Sequence, residues 1–282
     1  MESKKFSVLM TTYRGETPEY LDCSLNSLLV CQTCKPDQLV LVVDGPIPDE
    51  LDQVIKDYKN RFTDIIDVIY SPVNQGQSKA SAIGFEYLRN ELFARMDSDD
   101  VCVENRFERQ LQIFETHKDV SVVGGWIAEF DTDPSSPHSL RVVPELHNDI
   151  IKMFRKRNPI NNMTVMMTKT EVVKAGGYGR DTVNEDYSLY AHMWVNGSVF
   201  YNIQDVLCNV RVGNNMVGRR NDFRIYKDWR KDQKYLRENK KHSRLTAFIS
   251  NFRCFCFVIT PVWIKKLLYK SVLRKKNESG KK

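Results

Sequence analysis

Five carboxylates in two short stretches are the residues whose types and spacing point most directly to chemistry. The first stretch is Asp97-Ser98-Asp99-Asp100, directly after an apolar run. Three acids within four residues repel one another unless a cation or donor hydrogens offset their charge. A hard divalent ion bound through oxygen is a natural partner. Mg²⁺ or Mn²⁺ is commonly held by one or two carboxylates together with substrate phosphates, and such an ion also stabilises a departing diphosphate. The alternative is an acidic helix N-cap, where Asp is favoured. The second stretch, Glu185-Asp186, opens a helical pattern after Gly176-Gly177-Tyr178-Gly179. A carboxylate placed there can act as general base toward an incoming hydroxyl. First-turn acids that complement the helix dipole are the competing explanation.

Other polar groups could serve the same site. Asp44, directly before Gly45-Pro46, can hydrogen-bond a ribose hydroxyl or a base N–H, or it can serve the turn itself. Asn74-Gln75-Gly76-Gln77-Ser78-Lys79 opens a helix. A helix N-terminus favours anions, and Lys79 can reach a phosphate. Arg211, Arg219 and Arg220 suit phosphate recognition, or a solvated face.

The elements that must position these groups are legible as periodicity. Residues 6–11, 39–43, 65–70 and 92–96 are apolar runs of strand length. The stretches 18–31, 51–58 and 76–89 read as helices, the first with Leu21, Leu25, Leu28 and Leu29 at helical spacing. Gly45-Pro46 and Ser71-Pro72 close two of the strands. Strands alternating with helices predict a mostly parallel sheet covered on both faces. Ligands of such sheets bind beyond the carboxyl ends of the strands. Thr12-Tyr13-Arg14, Asp44 and the acids of 97–100 all fall at such ends, so folding brings them to one rim. Beyond residue 100 the pattern changes. Helices are expected at 106–116, 185–195 and 223–239, an apolar stretch with Gly124-Gly125 inside it at 120–130, a loop at 131–138, strand-like alternation at 162–167 and an extended run at 199–203.

The chain has 282 residues, 41% of them hydrophobic, which suits one large α/β domain with a short appendage. The polar start before Phe6 predicts no signal peptide and a cytosolic domain. Seven scattered cysteines fit a reducing compartment. Cys31 and Cys34 form a single Cys-x-x-Cys. A zinc site would want a second pair, and helix-end cysteines compete with a thioredoxin-like motif.

The net charge of +6 is uneven: residues 230–282 carry sixteen Lys and Arg against three Asp and Glu, and the remainder is acidic. A basic tail on an acidic body points to an anionic surface as partner. Residues 245–264 are apolar over roughly membrane length, but Asn251, Arg253 and Pro261 interrupt them, which disfavours a spanning helix. Phe248, Phe252, Phe255, Phe257 and Trp263 mix with Lys265, Lys266, Lys270 and Arg274. That composition suits a helix lying in a membrane interface, with a docked core helix as the alternative. It is too apolar for a nucleic-acid tail.

Order and spacing together are more specific than any single group. Thr11-Thr12-Tyr13 after the first strand, Asp44 after the second, Asn74-x-Gly76, Asp97-x-Asp99-Asp100, and Gly-Gly-Tyr followed by Glu185-Asp186 resemble a family 2 glycosyltransferase of the GT-A fold, over roughly residues 5–220. Residues 96–106 and 158–165 resemble its bacterial members that build capsule, exopolysaccharide or O-antigen repeat units. The resemblance implies an inverting, metal-dependent transferase. Asp44 would bind the nucleoside at its base, Asp97 would lie near the ribose, and Asp99 would coordinate Mn²⁺ or Mg²⁺ on the diphosphate. Asp186 would be the catalytic base, with Glu185 beside it at the acceptor. Thr11, Tyr13 and Lys79 would line the donor pocket, and Arg219-Arg220 would steady the diphosphate.

It further implies a UDP-hexose donor, with galactose or glucose favoured. The acceptor would be a sugar on undecaprenyl diphosphate, at the cytoplasmic face of the inner membrane. Residues 1–222 would be the GT-A catalytic domain and 223–282 a basic, peripherally membrane-associating helical tail. The sequence departs from the family pattern at three places. The first-strand motif usually has Pro where Met10 or Thr11 stands, Asp44 lacks a second acid beside it, and Asn162 stands where related bacterial members often have His. A nucleotide-sugar nucleotidyltransferase would carry a Gly-rich, basic loop after the first strand, where this chain has Thr11-Thr12-Tyr13-Arg14-Gly15. A non-catalytic scaffold would not need every one of these carboxylates, and a receiver domain would leave the second half of the chain unexplained.

Overall fold

The computed structural model describes residues 4–180, 182–213, 222–265 and 275–276. Strands β1 (Phe6–Tyr13), β2 (Gln38–Asp44), β3 (Ile66–Ser71) and β4 (Leu92–Asp97) form a parallel block in the order β4-β1-β2-β3. Helices α1 (Pro18–Leu29), α2 (Asp49–Arg61) and α3 (Gln77–Glu86) connect them.

Side chains alternate across a strand, and here both faces are covered. Phe6, Val8 and Met10 join Leu39, Leu41 and Val43 in a core shared with α1, α2 and α4 (Arg106–Thr116). Leu9, Val40 and Val42 face the opposite core with Ala80 and Phe85 of α3. Burial on both faces is why these strands read as unbroken apolar runs. Gly84 lets α3 approach the sheet closely. A Cβ there would stand 2.4 Å from Leu9 Cδ1 and 2.7 Å from Val42 Cγ2.

The second half extends the sheet with different pairing. β8 (Met166–Thr168) runs antiparallel between β4 and β6 (Val120–Phe130). β9 (Val199–Arg211) runs parallel to β6 with register shifts beside Gly125 and Trp126. β5 (Val101–Cys102) pairs antiparallel with β9, β7 (Ser139–Arg141) with β6, and β10 (Lys275–Lys276) with β7. The expected parallel order therefore holds for the first four strands, and the whole sheet is mixed.

Residues 162–167 are not one strand. Asn162–Thr164 is a 3₁₀ turn, because Thr164 Oγ1 donates to Asn161 O (2.7 Å) and accepts from Gly125 N (3.1 Å). The extended run expected at 199–203 continues to Arg211, carried by its pairing with β6. Two helices that the periodicity does not announce, α5 (His147–Phe154) and α6 (Lys169–Lys174), complete the second face together with α7 (Glu185–Val195) and α8 (Phe223–Glu238).

α8 docks on α7. The Trp229 and Tyr187 rings lie 4.2 Å apart, those of Tyr235 and His192 lie 3.8 Å apart, and Gln233 Nε2 donates to Tyr187 Oη. The sequence-based division at residue 222 assigns this helix to the tail, whereas its contacts join it to the body. α9 (Arg244–Ile259) packs on α8, with Trp229 Nε1 donating to Ser250 Oγ (3.1 Å). Among the described residues no helix is long and apolar enough to cross a membrane.

Candidate active site

The parallel register brings the tips of three strands into line. Thr11 pairs with Asp97 across β1 and β4, and Tyr13 pairs with Asp44 across β1 and β2. Beside them opens a cleft of about 850 Å³. Its walls come from the start of α3 (Gln77, Lys79), the tip of β4 (Asp97), the start of α7 (Glu185, Asp186), and α8. Lys79, Asp97, Glu185 and Asp186 thus share one cavity, although 106 residues separate Lys79 from Glu185 in the chain. Thr11 is half-buried and Tyr13 exposed on the same rim.

Asp44 is buried, and both its carboxylate oxygens accept backbone hydrogens, from Gln75 N and Gly76 N, each at 2.8 Å. Asn74 Nδ2 donates in turn to Asp44 O (3.0 Å). Gly45 permits this closeness. Its φ is +86°, and a Cβ would fall 2.6 Å from Asn74 N. In this structure Asp44 pins the loop that leads into α3. Each of its carboxylate oxygens keeps lone pairs beyond that task.

The acids of 97–100 point in different directions. Asp97 Oδ1 accepts from Gln77 Nε2 (3.3 Å) and from Arg95 Nη2 (3.4 Å). Burial raises the Asp97 carboxyl above its usual range, and Arg95 opposes that shift. Burial, then Asp97 and Glu16, push the Asp99 carboxyl up to about 7. Asp100 faces inward. Its Oδ1 accepts from Arg211 N (2.9 Å), and its buried Oδ2 has no hydrogen-bond partner among the described residues. Ser98 Oγ donates to Glu16 Oε2.

Arg211 lies at the end of β9 with its guanidinium 3.7 Å from the Tyr20 ring centroid and 4.6 Å from that of Phe130. Its Nε donates to Asp99 O (3.3 Å). It therefore steadies the backbone of the acidic cluster. Arg219 and Arg220 lie outside the described residues.

On the far wall, Asp186 is held by two donors. Asn158 Nδ2 bonds its Oδ2 and Tyr187 N bonds its Oδ1, both at 2.7 Å. Burial raises the neighbouring Glu185 carboxyl to about 7, with Arg95 opposing and Asp186 and Asp97 adding to it. Asn162 also lines the cleft, and its Oδ1 accepts from Tyr190 Oη (2.7 Å). Arg224, Lys227 and Lys231 of α8 form a basic side to the same cavity, with Lys231 Nζ bonded to Asp228 Oδ1 (2.7 Å).

Sequence reasoning missed three contributors. Arg95 is 1% exposed beneath the carboxylates and donates from Nη1 to Ser81 Oγ (3.1 Å). A lone cation inside an apolar strand was its available signal. Glu16 has only its place after the first strand to mark it. The cleft face of α8 was hidden inside an evenly charged helix.

The described residues contain no group of three or more His, Cys, Asp or Glu side chains placed to hold a metal together. Asp99 still fits a shared site. It is a half-buried carboxylate crowded by Asp97 and Glu16, and Mg²⁺ commonly takes its other ligands from phosphate and water.

The chain belongs to glycosyl transferase family 2, whose model matches residues 7–175. It is therefore a glycosyltransferase with the GT-A fold. It is 34% identical to an amylovoran biosynthesis glycosyltransferase of Erwinia amylovora over 94% of this chain and 97% of the relative. It is 31% identical to the UDP-Gal:alpha-D-GlcNAc-diphosphoundecaprenol beta-1,3-galactosyltransferase of Escherichia coli over 97% and 98%. Among solved structures, a mannosyltransferase of Pyrobaculum calidifontis in complex with GDP-Man and Mn²⁺ shares the fold. Its TM-score is 0.60 at 12% identity, covering 94% of this chain and 79% of that one.

Proposed function

We propose that this glycosyltransferase moves a hexose, galactose ahead of glucose, from UDP to a hydroxyl of a sugar carried on undecaprenyl diphosphate, with inversion at the anomeric carbon. The observation that carries the reading is the placement of Asp186. Its carboxylate is oriented by Asn158 in a cleft that Asp97 and Lys79 also line. The name of the Escherichia coli relative supports both the donor and the lipid-linked acceptor.

In this mechanism Asp186 takes the proton of the acceptor hydroxyl while that oxygen attacks the anomeric carbon from the face opposite UDP. Glu185 and Asn162 border the acceptor. Asp97 and Asp44 serve the ribose and base, and Thr11, Tyr13 and Lys79 complete the donor pocket. Arg219 and Arg220 are assigned to the diphosphate. Mn²⁺ or Mg²⁺, held by Asp99 and the donor phosphates, would offset the charge of the leaving UDP.

The protein works at the cytoplasmic membrane face. The outer side of α9 exposes Leu245, Ile249 and Ile259, and the basic residues 230–282 favour an anionic leaflet.

The test is to incubate the purified full chain with a panel of nucleotide sugars, Mn²⁺ and undecaprenyl-diphosphate-linked N-acetylglucosamine. Release of UDP and a lipid glycan longer by one hexose are expected with UDP-galactose. A folded protein that releases nucleotide from no donor would refute the reading.

A further inference from the structure

α8 separates two hollows. Arg224, Lys227, Asp228 and Lys231 recur at helical spacing and face the active cleft. Tyr226 and Arg230, on the adjacent stripe, line a second hollow of about 370 Å³ that Phe248, Asn251, Phe252 and Phe255 of α9 complete. Phe248 and Phe252 are 68% and 59% exposed. The Tyr226 and Phe255 rings lie 5.4 Å apart, and the Arg230 guanidinium is 5.8 Å from the Tyr226 ring centroid. Lys227 and Arg230, three residues apart, straddle the ridge between the hollows. An aromatic trough left open to water is a costly surface unless something apolar occupies it.

We infer that the trough between α8 and α9 seats the part of the acceptor's isoprenoid chain next to its diphosphate, with Arg230 and Lys227 meeting the phosphates on the ridge. This inference rests on the lipid-diphosphate acceptor proposed above. Such an acceptor is a linear amphiphile of chain, anionic linker and sugar. Around its circumference α8 presents an aromatic trough, a cationic ridge and the carboxylate-bearing cleft in the same order. Charge complementarity selects this occupant over an uncharged apolar partner, which would gain nothing from the ridge. A flat bilayer surface, in turn, needs no concave seat, and α9 offers it Leu245, Ile249 and Ile259 outside the trough.

The experiment compares two acceptors, N-acetylglucosaminyl diphosphate on an undecaprenyl chain and on a short hexyl chain. They are assayed with the wild-type full chain, a Phe248→Ser/Phe252→Ser variant and Arg230→Gln. The residues changed are exposed, so folding is preserved, and circular dichroism checks it. The double variant is expected to raise KM for the undecaprenyl acceptor about tenfold relative to KM for the hexyl acceptor. Arg230→Gln is expected to raise KM for both, since both carry the diphosphate. A Leu245→Ser/Ile249→Ser variant is expected to weaken flotation with anionic vesicles and leave the KM ratio as in wild type. An unchanged ratio in the trough variant, or an equal change in the Leu245/Ile249 variant, would overturn the trough while leaving the transfer reaction standing. A wild type inactive on both acceptors would overturn the reaction itself, and the trough with it.

Discussion

The two walls of the cleft are built in different ways. The side proposed for the donor, hereafter the donor wall, grows from the parallel block, where the tip of β4 brings Asp97 to the cleft beside Tyr13 and Asp44 at the tips of β1 and β2. Its side chains are placed by strand geometry and local turns. The side proposed for the acceptor comes from the starts of α7 and α8, and long-range bonds place it. Asn158 holds Asp186, Asp228 Oδ2 accepts from Val183 N (3.0 Å), and Asn184 Nδ2 donates to Ile225 O (2.9 Å). The first side is therefore fixed by a sheet edge, and the second by long-range bonds that the sheet does not set.

The sharpest way to separate the walls is to disable one at a time. Asp99→Ala is expected to abolish metal-dependent donor binding, read by calorimetry with UDP-galactose in the presence and absence of Mn²⁺. Unaltered metal dependence would remove Asp99 from the donor wall. Asn158→Ala leaves the donor wall intact and frees the Asp186 carboxylate to rotate. It is expected to lower kcat about tenfold to a hundredfold with donor affinity retained, because small misplacements of a reacting group are expensive. A fall in donor affinity instead would show that the walls are not independent.

Smaller effects test the scaffolds. Gly84→Ala puts a methyl against Leu9 and Val42 and should destabilise the parallel block by about 1–3 kcal/mol, measured by urea unfolding. An unshifted transition would show that α3 does not pack as described.

On the other side, Glu185 and Asp232 are both raised to about 7 by burial from ordinary values of 4.5 and 3.8. Between those values and about 7 these two carboxyls bind more protons in the folded chain than in the unfolded one, so their contribution to ligand-free stability falls as pH rises through that window and levels off above it. Compared by thermal unfolding from about pH 5 to 8, wild type and Asp232→Asn should differ by this slope, while His147, His192 and His242, held below the usual imidazole range by burial, contribute the opposite slope to both. A difference that does not change with pH would mean that the Asp232 carboxyl is charged in the folded state.

The same contrast decides how much the sequence could reveal. Continuous apolar runs such as that of β2 are a direct consequence of burial on both faces, so the first four strands and their helices were legible, as were the acids at their tips. The pairing of β8 between β4 and β6 was not. Met166 and Met167 look the same whether they start a strand or continue a turn, and only contact with Ala94 and Val122 decides. The start of α7 announced Glu185 and Asp186 through a local glycine pattern, but the residue that orients Asp186 lies 28 positions upstream. Arg95 illustrates the remaining limit, since one cation in a strand looks like a break in a pattern until the carboxylates above it are in place.

Asp186→Asn asks whether Asp186 removes the acceptor proton, as proposed. The amide keeps the shape and cannot accept the proton as a base. Transfer from UDP-galactose measured under single turnover is expected to fall about 10²–10⁴-fold, with the donor Kd as in wild type. Transfer within a few-fold of wild type, with the acceptor bound normally, would contradict the account.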